Sequence, residues 1–127
     1  MYELSNISIV IVSFNSEEKL FELFPSIPES CELIIVNNAS NSLPQELKKS
    51  RDFIEIHNSE NKGFGTACNI GVTKASKDFI FLLNPDTFLK DHCLENLLKV
   101  CKDFPNASAF TPKITNKKNK EDFKRRS

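Results

Sequence analysis

Ile7-Ser8-Ile9-Val10-Ile11-Val12-Ser13-Phe14 is the stretch on which the fold turns. Its β-branched residues follow one another too closely for a strand with one wet face. The run therefore reads as a central strand of a parallel sheet, covered on both sides. Helices must supply that cover. Asn15 reads as the start of the first one: Glu18 follows three residues on, as in a capping box, Leu20, Phe21 and Phe24 supply an apolar stripe, and Pro25 ends it.

The unit recurs outward from there. Leu33 to Val36 is a second buried strand, followed by the polar stretch Asn37 to Ser42 and a short helix starting at Pro44, where the missing N–H costs nothing. Phe53 to His57 alternates, as an edge strand does. Asn61-Lys62-Gly63-Phe64-Gly65 leads into a helix through Ala67, Ile70, Gly71 and Ala75, and Phe79 to Leu83 is a fourth buried strand. Asp91 caps a further helix with Leu94, Leu97, Leu98 and Cys101 at helical spacing, closed by Pro105. Ala109 to Ile114 is a last short strand, which Pro112 confines to an edge or a strand end. Such alternation predicts an open three-layer α/β/α fold, Rossmann-like, around a mostly parallel sheet.

The chain has 127 residues, 39% apolar and 27% charged, enough for one core. A second domain is excluded unless part of the protein is missing. No signal peptide and no stretch able to span a bilayer is legible, which predicts a cytoplasmic protein, at most peripheral at the inner face of the membrane. The 17 basic and 17 acidic residues cancel but are unevenly placed: from Lys113 onward seven bases face Glu121 and Asp122, so the tail is +5 and residues 1–112 are −5. A basic tail can touch nucleic acid or anionic lipid. With no aromatic residue beyond Phe123 among its charges it reads as a solvated end, without a nucleic-acid partner and with a membrane surface as the lesser reading. The domain is drawn at 1–114 and the tail at 115–127.

Cys31, Cys68, Cys93 and Cys101 lie 37, 25 and 8 residues apart, without the C-x-x-C pair that grips zinc or runs redox exchange. They read as reduced thiols. His92-Cys93 lacks a second His/Cys pair and reads as a helix-surface histidine beside a buried cysteine.

In an open parallel sheet ligands bind beyond the carboxyl ends of the strands. Those ends are Ser13-Phe14-Asn15, Asn37-Asn38, the segment Asn58 to Gly65, and Asn84-Pro85-Asp86-Thr87. All offer small polar groups, and the last offers a carboxylate. Gly63-Phe64-Gly65 is not a dinucleotide fingerprint, because its third glycine falls on Cys68 and it follows the third strand instead of the first. No P-loop occurs. Asp86 could share a divalent cation with substrate phosphates, since Mg²⁺ keeps few protein ligands; Asn-Pro-Asp-Thr is equally a good β-turn.

With these segments in order, the chain resembles the N-terminal, donor-binding half of a family 2 glycosyltransferase of the GT-A fold. The matching stretches are Ile9 to Asn15, Leu33 to Ser40, Asn61 to Gly65 with Asn69-Ile70-Gly71, and Leu82 to Thr87. The Asn-Pro-Asp-Thr form is similar to that of the rhamnosyltransferase-like branch, which builds bacterial cell-surface polysaccharide. The resemblance implies transfer of a sugar from a nucleotide-diphosphate donor to an acceptor hydroxyl. It also implies a donor site drawn from Ser13, Phe14, Asn15, Asn37, Asn38, Lys62, Gly63, Asn84 and Asp86. Ser13 and Asn15 would border base and ribose, Asn37 would face the nucleobase, and Asp86 would hold Mg²⁺ or Mn²⁺ on the diphosphate.

Three departures qualify what the resemblance implies. Asn37 stands where the family usually has Asp, so a charge-assisted bond to the base is lost. Asn84 stands where many members have a second Asp. Inverting transfer needs a general base, which the family carries in its second half; the chain is expected to be truncated before it, so that it binds donor and transfers little alone. The alternatives are a non-catalytic nucleotide-binding or interaction module paired with a second chain carrying the acceptor half, or an inactive remnant with an uncovered sheet edge.

Overall fold

Strand order is what brings distant loops together. The computed structural model describes residues 2–113 and 115. Among these, four strands form one parallel sheet: β1 (Ile7–Ser13), β2 (Glu32–Asn37), β3 (Ile54–His57) and β4 (Phe79–Leu83), in the order β3-β2-β1-β4. The helices are α1 (Glu17–Leu23), α2 (Gln45–Ser50), α3 (Phe64–Lys74) and α4 (Cys93–Asp103). Residues 3–91 make one compact unit, with the sheet and α1 to α3; Tyr2 and the described residues from His92 onward belong to a second.

β1, β2 and β3 step outward in one direction, so right-handed crossovers put α1 and α2 on one face. The chain then returns past β2 and β1 to lay β4 against β1, which carries α3 across the other face. There α3 packs on β1 and β2, and Val10, Ile34, Val36 and Ala67 form a buried cluster. Gly71 allows the close approach. A Cβ at that position would collide with Val10 Cγ1 and lie 3.0 Å from Val36 Cγ2, so even alanine overpacks the contact. On the opposite face Ile9, Ile11, Leu33 and Ile35 are buried, as are Leu20 and Leu23 of α1 and Leu47 of α2, each such aliphatic side chain contributing about 1.5–3 kcal/mol. Phe24 and Phe53 meet edge to face at 5.7 Å.

Charged groups lock the amino end of the sheet. Glu32 accepts from Ser8 Oγ at 2.7 Å, Ser76 N at 3.0 Å and Ser76 Oγ at 2.7 Å, and Lys77 N donates to Ser8 Oγ at 3.1 Å. Burial raises the Glu32 pKa, but the bonds from Ser8 and Ser76 and the nearby Lys77 charge outweigh it and leave the carboxyl below its ordinary value. Arg51, buried, donates to the carbonyls of Ile27, Pro28 and Cys31 at 2.8–2.9 Å and ties the turn before β2 to the end of α2.

Several expectations need correction. Asn15 does not start α1: at φ 52° it is in the left-handed region, which Asn tolerates, and Ser16 takes the N-cap position without a side-chain cap bond. The buried stripe is then Leu20, Leu23 and Phe24, while Phe21, rotated away from it, is exposed. β4 is not buried on both faces. Ile80 and Leu82 are exposed, because they lie on the α3 side of the sheet and α3 covers β1 and β2 instead. His92, not Asp91, holds the N-cap position of α4; its Nδ1 lies 3.1 Å from Glu95 Oε2, and α4 buries Leu94 and Leu98. Residues 109–113 form no strand, and Ile114 lies outside the described residues, as does the basic tail except for Lys113 and Thr115. Cys31, Cys68, Cys93 and Cys101 form no disulfide, and burial pushes the thiols of Cys68 and Cys93 up.

Candidate functional site

β1 is the switch point: from it the sheet runs to β2 on one side and to β4 on the other. A cleft of about 340 Å³ opens at the carboxyl ends there, as crossover geometry dictates. Phe14, Ser16 and Lys19 come to it from the end of β1 and from α1, and Asn38 from the end of β2. Asn61 and Phe64 enter from the start of α3, and Asn84, Pro85 and Asp86 from beyond β4. The turn reading of Asn84 to Thr87 holds. Thr87 N and Thr87 Oγ1 donate to Asn84 O at 3.3 and 2.7 Å, and this turn is what brings exposed Asp86 to the cleft.

Of the residues singled out in the sequence, Phe14, Asn38, Asn84 and Asp86 meet in the cleft, whereas Ser13, Asn15, Asn37, Lys62 and Gly63 do not line it. Ser13 is buried beside Asn37 in the strand register, and its Oγ has no hydrogen-bond partner among the described residues. Asn37 is buried and engaged elsewhere. Its Nδ2 donates to Asn41 O at 2.8 Å and to Glu55 Oε2 at 3.3 Å, and its Oδ1 accepts from Ala39 N at 3.3 Å. Glu55 is also paired with Lys48 at 3.1 Å. Burial raises the Glu55 pKa, while Lys48, Asn37 and the Leu43 backbone bring it below its ordinary value. A neutral amide at position 37 therefore has a local reason: Asp there would face the Glu55 carboxylate.

The donor-site set read from the sequence leaves out the cleft residues Val12, Ser16, Lys19, Asn61, Phe64 and Pro85, although Asn61, Phe64 and Pro85 lie in the strand-end segments where a ligand was expected. Phe64 carried no signal of its own: with Ala67, Cys68 and Gly71 it follows i, i+3, i+4, i+7 spacing and reads as core, yet as the first residue of α3 it is left exposed. Phe14 and Phe64 are 52% and 58% exposed, which leaves two aromatic rings accessible in one cleft. Lys19 carried no signal, since only the packing of α1 turns it to the cleft. No group of three His, Cys, Asp or Glu among the described residues could hold a metal by itself. The donor set fits an ion that takes one carboxylate and fills its remaining positions with phosphate oxygens and water.

A parallel sheet with helices on both faces and a cleft at its switch point defines a Rossmann-like α/β protein. The profile of the family Glycosyl transferase family 2 matches residues 8–127, and the chain belongs to that family. It is 30% identical over 125 residues to the poly-beta-1,6-N-acetyl-D-glucosamine synthase of Staphylococcus aureus, covering 91% of this chain and 30% of that relative. Among solved structures, S. aureus TarS 1-349 in complex with UDP-GlcNAc superposes with a TM-score of 0.69 at 15% identity, over 87% of this chain and 40% of that one. The mannosyltransferase PcManGT from Pyrobaculum calidifontis, in complex with GDP-Man and Mn²⁺, superposes with a TM-score of 0.69 at 12% identity, over 87% and 36%. These similarities establish the GT-A fold. The chain spans about 30% of the length of the curated relative. Among the described residues, no helix is long and apolar enough to cross a membrane.

Proposed function

We propose that the chain binds a nucleotide-diphosphate sugar in the cleft between β1 and β4, as the donor-binding part of a family 2 glycosyltransferase in polysaccharide synthesis. The observation that carries this reading is the joining of two accessible aromatic faces, Phe14 and Phe64, with one carboxylate, Asp86, at the switch point. An aromatic face is a sequence-tolerant platform for a base. Asp86 would hold Mg²⁺ or Mn²⁺ against the diphosphate, and the ion would supply Lewis-acid stabilisation to the leaving phosphate. Lys19 adds a cation to the same cleft. Ser13, Asn15, Lys62 and Gly63 are sequence neighbours of cleft-lining residues, and Asn84 O closes the turn that carries Asp86. The nucleotide sugars UDP-GlcNAc and GDP-Man named for the solved relatives support the ligand class, and the Mn²⁺ of the second supports the metal.

Transfer also needs a base for the acceptor proton. Asp86, the carboxylate lining the cleft among the described residues, is assigned to the metal, so the reading for residues 1–127 is donor binding. Calorimetry with UDP and GDP, with and without Mn²⁺, tests it on wild type and Asp86→Ala. Metal-dependent heat in the wild type, lost in the variant, is expected; no heat in either protein would sink the proposal.

A further inference from the structure

The two asparagines that end β2 differ in what they hold. Asn37 is tied to its own loop and to β3, whereas Asn38 grips the segment that enters α3. Asn38 is 2% exposed. Its Nδ2 donates to Asn61 Oδ1 at 3.1 Å and to Gly63 O at 3.3 Å; its Oδ1 accepts from Asn58 Nδ2 at 2.8 Å and from Lys62 N at 3.3 Å. A carboxamide has two donor hydrogens and two acceptor lone pairs. These four bonds fill it, and none remains for a ligand.

The gripped segment needs holding. Ser59 at φ 66° and Gly63 at φ 87°, ψ 158° occupy sparsely populated backbone regions, which persist where surrounding contacts over-determine them. Asn61 Oδ1 also accepts from Gly63 N at 2.9 Å, so the loop closes on itself around the Asn38 amide. Asn61 and Phe64, carried by this segment, wall the cleft.

We infer that Asn38 is a positioning residue and not a ligand contact: a four-bond clamp that presets the Asn61–Phe64 wall, so that nucleotide affinity depends on Asn58, which does not line the cleft. The inference rests on the donor-binding reading and deepens it. A wall left loose would have to be ordered when the ligand arrives, and that ordering is subtracted from affinity.

The test uses the full chain. Asn58→Ala removes the 2.8 Å donor and leaves every cleft-lining side chain in place. Asn38→Asp keeps size and an acceptor but turns both donors into a carboxylate oxygen facing Asn61 Oδ1 and Gly63 O. Binding of UDP and GDP with Mn²⁺ is measured by calorimetry, and hydrogen exchange and NMR shifts of the Lys62 and Gly63 amides report the loop. Asn58→Ala is expected to bind about tenfold more weakly, the scale of one buried hydrogen bond, with faster exchange at both amides, and Asn38→Asp to lose more. If Asn38→Asp fails to fold, Asn58→Ala decides alone. A folded Asn58→Ala with unchanged affinity, or with unchanged exchange at Lys62 and Gly63, overturns the clamp. If the wild type takes up neither nucleotide, the donor-binding reading falls and the inference falls with it; normal wild-type binding that the variants retain removes the inference alone.

Discussion

The two ends of the same sheet are built from different chemistry. At the amino end the Glu32 carboxylate accepts three hydrogen bonds from Ser8 and Ser76 and holds the start of β4 to β1 and β2. At the carboxyl end neutral amides predominate, Ser13 Oγ lacks a partner among the described residues, two phenylalanines are exposed, and Asp86 lies exposed on a turn. The difference teaches a division of labour. Satisfied, charge-assisted bonds stabilise the sheet at its amino end, while exposed aromatic rings and an exposed carboxylate collect at the carboxyl end, where the cleft opens.

That comparison can be broken by substitutions at the two ends. Asp86→Ala should weaken Mn²⁺-dependent nucleotide binding at least about tenfold with no change in the urea midpoint; an unaltered Kd would remove the metal from this end. Asn37→Asp should cost about 2 kcal/mol in denaturant titrations, because it loses the donors to Asn41 and Glu55 and sets two carboxylates together. Glu55→Gln in the same chain should recover much of that loss, and strict additivity would show that the pair is not coupled. Glu32→Gln should cost about 1 kcal/mol at neutral pH, discounted for partial exposure, and leave nucleotide affinity unchanged.

Acid titration sharpens the Glu32 result. Its folded-state pKa is depressed, so its contribution is complete above the ordinary value of 4.5 and is lost as pH falls through the lowered one. Wild type should therefore lose stability over that interval more steeply than Glu32→Gln. Equal slopes would mean that the carboxylate does not hold this end. The smallest effect is expected for Ser13→Ala, within about 0.5 kcal/mol in urea denaturation, since an unpaired buried hydroxyl contributes little that its removal could take away.

Much of the fold was legible because it rests on local pattern. The apolar runs of β1 and β2 could belong only to covered parallel strands, and Pro44 and Ala75 bound their helices within a residue of where they were read. Misjudged elements depended on neighbours. Phe79 to Leu83 has the same apolar run as β2, but nothing in it says that its α3-side face goes uncovered. Asp91 and Asn15 are good capping types, and the cap positions went to His92 and Ser16 because the incoming backbone decides where a helix begins.

The sequence by itself determined the alternation of strands and helices, the polar character of every strand end, and the Asp86 carboxylate just past β4. Those properties follow from hydrophobic periodicity and residue type, which act over a few residues. Tertiary structure alone decided that β4 returns beside β1 and so brings Asp86 within one cleft with Phe14, and that Lys19 joins them. It also decided that Asn37 and Asn38, adjacent and chemically identical, do different work. Their partners lie about twenty residues away, Glu55 for one and Asn58 for the other. An amide side chain takes its role from the groups that folding places within hydrogen-bond reach of it, and those distances are set by sheet register and crossover, not by sequence spacing.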